Sequence, residues 1–237
     1  MIEKIKSFEM IEKIISLLVI LTGGDLGQWR ASQLKRWGIS RVETTDGYSF
    51  GVDGIKEANE VLGDVDFSGI GEGDAVLDLG AHVGGFAIRA AKYARMVYAV
   101  EPVFAEELRA NIKKNGMEDK ITVLECALGD GKKERIVFDG KEKVVQTYTV
   151  PELLKKTGDI TFLKVDVEGA EWAIKPEHLL GIRRIEFEAH VKGYNQKLEA
   201  ALKENWFVKE QHRPFLHGRE RHFHCYPKTT EVSDESN

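Results

Sequence analysis

Val76-Leu77-Asp78-Leu79-Gly80-Ala81-His82-Val83-Gly84-Gly85-Phe86 decides the fold: an apolar run breaks on glycines and then resumes with helical spacing. The run predicts a strand over Ala75 to Leu79, and the glycines predict a tight turn opening a helix over Gly84 to Tyr93, which is the start of an α/β unit. Gly80 and Gly84 carry no side chain where a ligand must approach the backbone, and Asp78 offers a carboxylate to the turn or to a cationic group. The plain alternative is that these glycines serve the turn alone, as glycines do in many α/β folds.

Outward from this stretch the pattern repeats. Strand-like runs cover Met96 to Val100, Ile121 to Cys126, Ile160 to Val165, Arg184 to Glu188, Trp206 to Glu210 and His222 to Tyr226. Helical spacing covers Ala105 to Asn115, Pro151 to Lys156, Trp172 to Leu180 and Gln196 to Glu204. Such alternation predicts βαβ units and a largely parallel sheet with helices on both faces. Arg135 to Thr149 reads as extra β structure or a loop between two units. Upstream, RVETTDGYSFGV from Arg41 to Val52 places two β-prone runs around Asp46-Gly47, a hairpin signal, and a short helix is expected over Ile55 to Leu62. Before it, Ile2, Ile5, Phe8, Ile11, Ile14, Ile15, Leu18 and Leu21 form an apolar stripe on a helix that Gly23-Gly24 ends. That stripe needs a partner surface: its own domain, a second copy of the chain, or less favourably a membrane surface. The expected division is an extension over 1–70, the main domain over 71–228, and a polar, acidic, disordered tail over 229–237.

Composition narrows the classes. At about 150 residues per domain, 237 residues suit one domain with an elaborated end, and 42% hydrophobic with 31% charged residues excludes a disordered chain. Thirty-four Lys and Arg against thirty-nine Asp and Glu leave a net charge of −5, without the broad positive field of a protein that coats nucleic acid. The two cysteines, Cys126 and Cys225, have no paired spacing, so neither a disulfide framework nor a structural zinc site is expected. Ile14 to Leu21 is too short to span a bilayer, and Glu3, Glu9 and Glu12 are unlike the basic start of an export signal. A cytoplasmic protein without a transmembrane segment is expected.

Two acidic positions then give the glycine turn a chemical meaning. Glu101 follows Asp78 by twenty-three residues, directly after MVYAV, where a carboxylate can receive both hydroxyls of a ribose. The dinucleotide fingerprint needs glycine where this chain has His82, which obstructs pyrophosphate and disfavours a nicotinamide cofactor. The D-x-G-x-x-x-G turn with an acidic second strand end resembles the first two motifs of Rossmann-like methyltransferases that use S-adenosylmethionine. A second apolar run, Phe162-Leu163-Lys164-Val165-Asp166-Val167-Glu168-Gly169-Ala170-Glu171, ends in acids and a glycine on the same rim. No N/D-P-P-Y/F motif stands there, which argues against a nucleobase amine as acceptor. Helix entry and capping are the structural alternative for Asp166 and Glu168.

LDLGAHVGGF, YAVEP with a helix ending in Asn111, CALGD, and above all LKVDVEGAE resemble the FkbM family of methyltransferases over roughly Arg41 to His190. The resemblance implies a class I methyltransferase fold: a seven-stranded, mostly parallel sheet whose last strand is antiparallel, with the N-terminal helix and hairpin added. It also implies S-adenosylmethionine as cofactor and O-methylation of a sugar, glycan or related small molecule. By the same resemblance Asp78, Gly80 and Gly84 line the methionine and ribose side, with Ala81 and His82 in the same turn. Glu101 then holds the ribose, Cys126 and Ala127 lie near adenine, and Asp166 and Glu168 face the acceptor. The chain departs from the family at His82, where asparagine is more frequent, and at Thr149-Val150-Pro151-Glu152-Leu153, where the family tends to read T-L-D-E-L.

Glu186-Phe187-Glu188-Ala189-His190 alternates so that Glu186, Glu188 and His190 share a face, with His190 last and therefore at the rim. His190 and Asp166 are the two candidate bases for an alcohol; a local structural role is the alternative for His190. His212, His217, His222 and His224, with Arg213, Arg219 and Arg221, crowd the last hairpin. No metal is expected there, and the basic loop is available to an anionic group on a substrate. An RNA methyltransferase, a nicotinamide-dependent oxidoreductase and a non-catalytic nucleoside-binding module remain as rival classes, nucleic acid being disfavoured by charge.

Overall fold

The computed structural model describes residues 41–52, 61, 66–190, 194–212 and 220–228. The helix expected over 1–22, most of Ile55 to Leu62, His217, Arg213, Arg219 and the 229–237 tail lie outside them. β1 (Arg41–Glu43) and β2 (Ser49–Gly51) form the expected hairpin, with Val42 opposite Phe50. In chain order there follow β3 (Ala75–Leu79), α1 (Gly85–Ala90), β4 (Met96–Val100), α2 (Ala105–Lys114), β5 (Ile121–Leu124), β6 (Ala127–Leu128), β7 (Lys133–Phe138) and β8 (Lys141–Tyr148). The remainder comprises α3 (Val150–Thr157), β9 (Phe162–Val165), β10 (Arg184–His190), α4 (Gln196–Asn205), β11 (Trp206–His212) and β12 (Glu220–Pro227).

The main sheet has seven strands in the order β11-β12-β10-β9-β3-β4-β5. β3 pairs in parallel with β4 and β9, and β9 with β10, while β12 lies antiparallel between β10 and β11, as expected. All five residues of β3 are buried, the state of a central parallel strand covered on both faces. Its alternation feeds two cores: Ala75, Leu77 and Leu79 join one, and Val76 joins the other. Asp78 shares the face of Val76, so a carboxylate is carried into the interior at the strand end. The chain leaves β3 toward β4 on one side and returns at β9 on the other, which makes the carboxyl ends of β3 and β9 the switch point where open α/β sheets bind ligands.

Three local outcomes bear on the site. The hairpin of β1 and β2 is tied to α2 by Asn111 and Asn115, whose Oδ1 atoms accept from Gly51 N (2.7 Å) and Ser49 N (2.9 Å). The stretch Arg135 to Thr149 is β structure: β7 and β8 pair through a turn in which Asp139 and Gly140 both take positive φ (47° and 76°), the geometry of a tight hairpin. The helix expected over Trp172 to Leu180 is instead two 3-10 turns, Ala170–Ala173 and Pro176–Leu179. Pro176 has no N–H to give and its ring collides with a helical carbonyl four residues back, so the spacing of three and four could not be realised as one helix.

α4 begins with a side-chain cap. Asn195 Oδ1 accepts from Lys197 N (3.1 Å) and Leu198 N (3.2 Å), and its Nδ2 donates to Trp172 O (3.1 Å). Asn195→Ala is expected to cost about 1 kcal/mol in urea denaturation, and an unchanged midpoint would show that tertiary contacts alone hold the helix start. No helix among the described residues is long and apolar enough to cross a membrane.

Candidate functional site

The turn after β3 is shaped by the chain itself. Gly80 has φ +85°, and a Cβ placed on it would lie 1.8 Å from the carbonyl oxygen of Asp166. A Cβ on Gly84 (φ +97°) would lie 2.8 Å from Leu108 Cδ1 and 2.9 Å from Ile88 Cδ1. The space these glycines vacate is therefore filled by protein, so close packing accounts for them without a ligand. Gly80 N and Ala81 N both donate to Val100 O at 3.0 Å, pinning the turn to the end of β4. His82 follows at φ 50°, a left-handed conformation that asparagine and histidine adopt more readily than most residues. Its ring meets Phe104 (4.4 Å between centroids) and Phe138 (5.8 Å) edge-on.

Glu101 is 5% exposed and accepts three backbone hydrogen bonds: Val103 N (2.7 Å) and Phe104 N (2.9 Å) on Oε1, and His82 N (2.8 Å) on Oε2. A carboxylate offers about four lone-pair positions, so one is left, and a ribose presenting both hydroxyls here would have to share or displace an amide. Cys126 and Ala127 are buried on the same rim, and burial pushes the Cys126 thiol up to about 11, leaving it a small apolar side chain.

Asp78 is fully buried, and neither of its oxygens takes a hydrogen bond from the described residues. Lys164 Nζ lies 3.4 Å from Asp78 Oδ1, 3.3 Å from Asp166 Oδ2 and 3.1 Å from Gly80 O. Burial raises the Asp78 pKa to about 6 against the opposing Lys164 charge, while burial of Lys164 is outweighed by the carboxylates of Asp78, Asp166 and Glu188, which keep it charged. A buried carboxylate with unused acceptor capacity at the switch point fits a ligand bearing cationic groups, as the sulfonium nucleoside expected from the sequence does.

Beyond β9, Glu168 (φ 54°) and Gly169 (φ 107°) turn the chain sharply into the first 3-10 turn. Glu171 there is fully buried: Oε2 accepts from Gly169 N (2.7 Å), and Oε1 accepts from His190 N (2.8 Å) and lies 3.0 Å from His190 Nδ1. The other ring nitrogen, Nε2, is 3.5 Å from Glu168 Oε2 and 3.9 Å from Glu188 Oε1. Burial opposes a charge on His190, but the Glu171 hydrogen bond and the charges of Glu171, Glu168 and Asp166 outweigh it and raise the pKa to about 9. At neutral pH the ring is an imidazolium, which must shed a proton before it can act as a base. Asp166, Glu188 and His190 each offer a ligand atom within 4.8 Å of the others, but the Lys164 ammonium and this imidazolium already supply positive charge to them.

A cavity of about 280 Å³ adjoins His190, lined also by Trp172, Ala189, Tyr194 and Arg221. Trp172 Nε1 donates to His190 O (2.5 Å), and Tyr194 meets the indole edge-on at 5.2 Å. Arg221 is held by Glu199 (2.8 and 2.9 Å) and by Glu210 (2.5 Å), so of the basic stretch expected to meet an anion this guanidinium is already neutralised. His222 and His224 stand opposite Glu188 and Glu186 in register, with His224 Nδ1 2.6 Å from Glu186 Oε2. Asp66, Glu186 and His224 also have metal-like spacing, but Arg184 pairs with both acids. The structure thus brings Asp78, Asp166, Glu168 and His190 to one rim and adds four residues the sequence did not single out: Lys164, Glu171, Trp172 and Tyr194. Lys164 and Glu171 lie within the acidic run already quoted, whereas nothing local marks Tyr194.

A family model described as the methyltransferase FkbM domain matches residues 78–217, more than half of the chain. No curated protein matches it. Among solved structures, the precorrin-6y C5,15-methyltransferase of Geobacter metallireducens superposes with a TM-score of 0.47 at 13% identity, over 75% of this chain and 90% of that one. TrmK of M. capricolum, solved with S-adenosyl-homocysteine, gives 0.47 at 15% identity over 73% and 68%. The precorrin 8w decarboxylase of Methanobacterium thermoautotrophicum gives 0.42 at 21% identity over 67% and 84%.

Proposed function

The chain belongs to the FkbM methyltransferase family, and from that premise we propose that it methylates a hydroxyl of a sugar, glycan or related small molecule using S-adenosylmethionine. The observation that carries the acceptor half is the Glu171–His190 pair, whose His190 adjoins a cavity lined by Trp172 and Tyr194. Aromatic faces suit the apolar face of a ring, and a base beside them suits its hydroxyl. The cofactor half falls to the turn after β3 and its neighbours: Asp78, Gly80, Ala81, His82, Gly84, Glu101, Cys126 and Ala127.

When bound, S-adenosylmethionine supplies an electrophilic methyl group on a cationic sulfur. The chain's own residues do the rest. Asp78 and Asp166, flanking Lys164, give the switch point a negative surplus that favours a cationic ligand. His190 Nε2, once deprotonated, accepts the hydroxyl proton, with Asp166 as the other candidate; such a base is worth about 10² to 10⁴ in rate. The walls hold the acceptor oxygen in line, which is the larger part of the task in a displacement at carbon. Among the described residues lining the cavity, Arg221 is already paired with Glu199 and Glu210, which supports a neutral acceptor over a phosphorylated one and over RNA.

Calorimetric titration with S-adenosylmethionine and NAD in parallel tests the cofactor. We expect binding of the first only, weakened about tenfold or more in Asp78→Asn, a change equivalent to about 1.4 kcal/mol. A labelled-methyl screen over glycans, small alcohols, lipids and tRNA then tests the acceptor. Label appearing in RNA alone would overturn the hydroxyl reading, and full transfer by both Asp166→Asn and His190→Ala would overturn the assignment of the base.

A further inference from the structure

We propose that Glu171 is the positioning residue of this site, a buried carboxylate that holds His190 with its Nδ1–H on Glu171 and its Nε2 turned to the rim beside Glu168 and Glu188. The inference rests on the reading of His190 as the proton acceptor and names the group that makes it one. A carboxylate only accepts hydrogen bonds, so the ring nitrogen 3.0 Å from Glu171 Oε1 is the donor, and Nε2 is left as the nitrogen that gains and loses the proton.

The hold extends beyond the ring. Glu171 accepts from the backbone N of His190 (2.8 Å) and the adjacent Trp172 donates to its backbone O (2.5 Å), so one 3-10 turn fixes the residue at three points. Gly169 N, on the other oxygen at 2.7 Å, fixes the carboxylate in turn. Nineteen residues separate Glu171 from His190, and only the adjacency of β9 and β10 brings them together.

Among the described residues, charged groups reach the ring from three segments. Glu168, Asp166 and Glu171 come from the segment after β9 and Glu188 from its own strand. From β12 come Arg221, which lines the cavity in ion pairs with Glu199 and Glu210, and His222, whose Nε2 is 3.6 Å from Glu188. Of these, Glu171 makes the closest contact with the ring, 3.0 Å from Nδ1, against 3.5 Å and 3.9 Å for the Glu168 and Glu188 oxygens beside Nε2. Its loss should therefore move the His190 titration more than the loss of Glu168 or Glu188, and should do so without disturbing the switch point where the cofactor is expected.

Nitrogen NMR of the His190 ring in the full chain, assigned by comparison with His190→Asn, tests this. In the wild type, above the titration midpoint near 9, the neutral ring should be protonated on Nδ1. In Glu171→Gln the midpoint should fall by roughly one to three pH units, and the pH profile of methyl transfer should move to lower pH with it. Affinity for S-adenosylmethionine should stay within about twofold. A midpoint unmoved in Glu171→Gln, or a wild-type neutral ring protonated on Nε2, would overturn the proposal; the second readout needs no variant and stands even if Glu171→Gln does not fold. Because the ring titration requires neither cofactor nor acceptor, it remains decisive if the methyltransferase reading fails, and its own failure leaves cofactor binding untouched.

Discussion

Lys164→Met is expected to destabilise the fold by about 3–5 kcal/mol at pH 8, the usual cost of removing one partner of a buried ion pair, and by much less at pH 5. Lys164 supplies the positive charge beside the fully buried Asp78, and it joins Gly80 O to Asp166 across the β3–β9 junction. The pH dependence follows from Asp78. Its folded pKa, about 6, already lies above the ordinary aspartate value of 3.8, so folding favours the protonated acid. Any stability due to that preference is full below 3.8 and is lost as pH rises through the folded value. Without Lys164 the folded value climbs further, so the variant's deficit widens through the neutral range and narrows in acid. The double variant Lys164→Met/Asp78→Asn should recover most of the loss, because no charge is left stranded. Urea denaturation of the wild type and the two variants at pH 5 and pH 8 decides it; a deficit equal at both pH values would mean that packing, and not charge, is what Lys164 provides.

Gly80→Ala should be the other severe change. Alanine at φ +85° costs about 1–2 kcal/mol for the left-handed conformation alone. The larger part comes from the added methyl, which would sit 1.8 Å from Asp166 O and so force the ends of β3 and β9 apart. A total of about 4 kcal/mol or more, in the range that marks a specific structural clash, would lower the Tm of a domain this size by about 10 °C. Gly140→Ala is the matched control: its φ is also positive, at +76°, but no described atom lies within 4 Å of the added Cβ. It should lose only the conformational part. Because the displaced groups include Asp78 and Asp166, Gly80→Ala should also abolish binding of S-adenosylmethionine while Gly140→Ala leaves it unchanged. Equal melting temperatures for the two variants would dismiss the clash.

Much of this architecture was legible in advance. Ala75–Leu79 and Met96–Val100 were bounded correctly, because strands covered on both faces read as mostly apolar runs, here broken only by Asp78, closed by glycine or an acid. Trp172 to Leu180 was misjudged because its apolar spacing suits a helix while Pro176 forbids one, and a periodicity count does not weigh a single missing N–H. At the site, the acidic run after β9 announced itself, but the division of labour within it did not. Asp166 and Glu168 drew attention as strand-end acids, whereas Lys164, within β9, and Glu171, at the end of the run, make the buried contacts. Arg221 misled for the same reason: it belongs to a basic stretch in the chain, yet it lies between Glu199 and Glu210 in space.

From the sequence alone came the alternation of strands and helices, hence the parallel sheet and its switch point, and the motifs that carry the family. These are properties of contiguous residues, set by backbone sterics and by which side chains repeat at a period of two or of three to four. Tertiary structure alone decided which charges meet: Lys164 with Asp78, Glu171 with His190, Arg221 with its two glutamates. The energy of a charge depends on what lies within about 4 Å of it and on how much water is excluded, and both are set by which strands lie side by side.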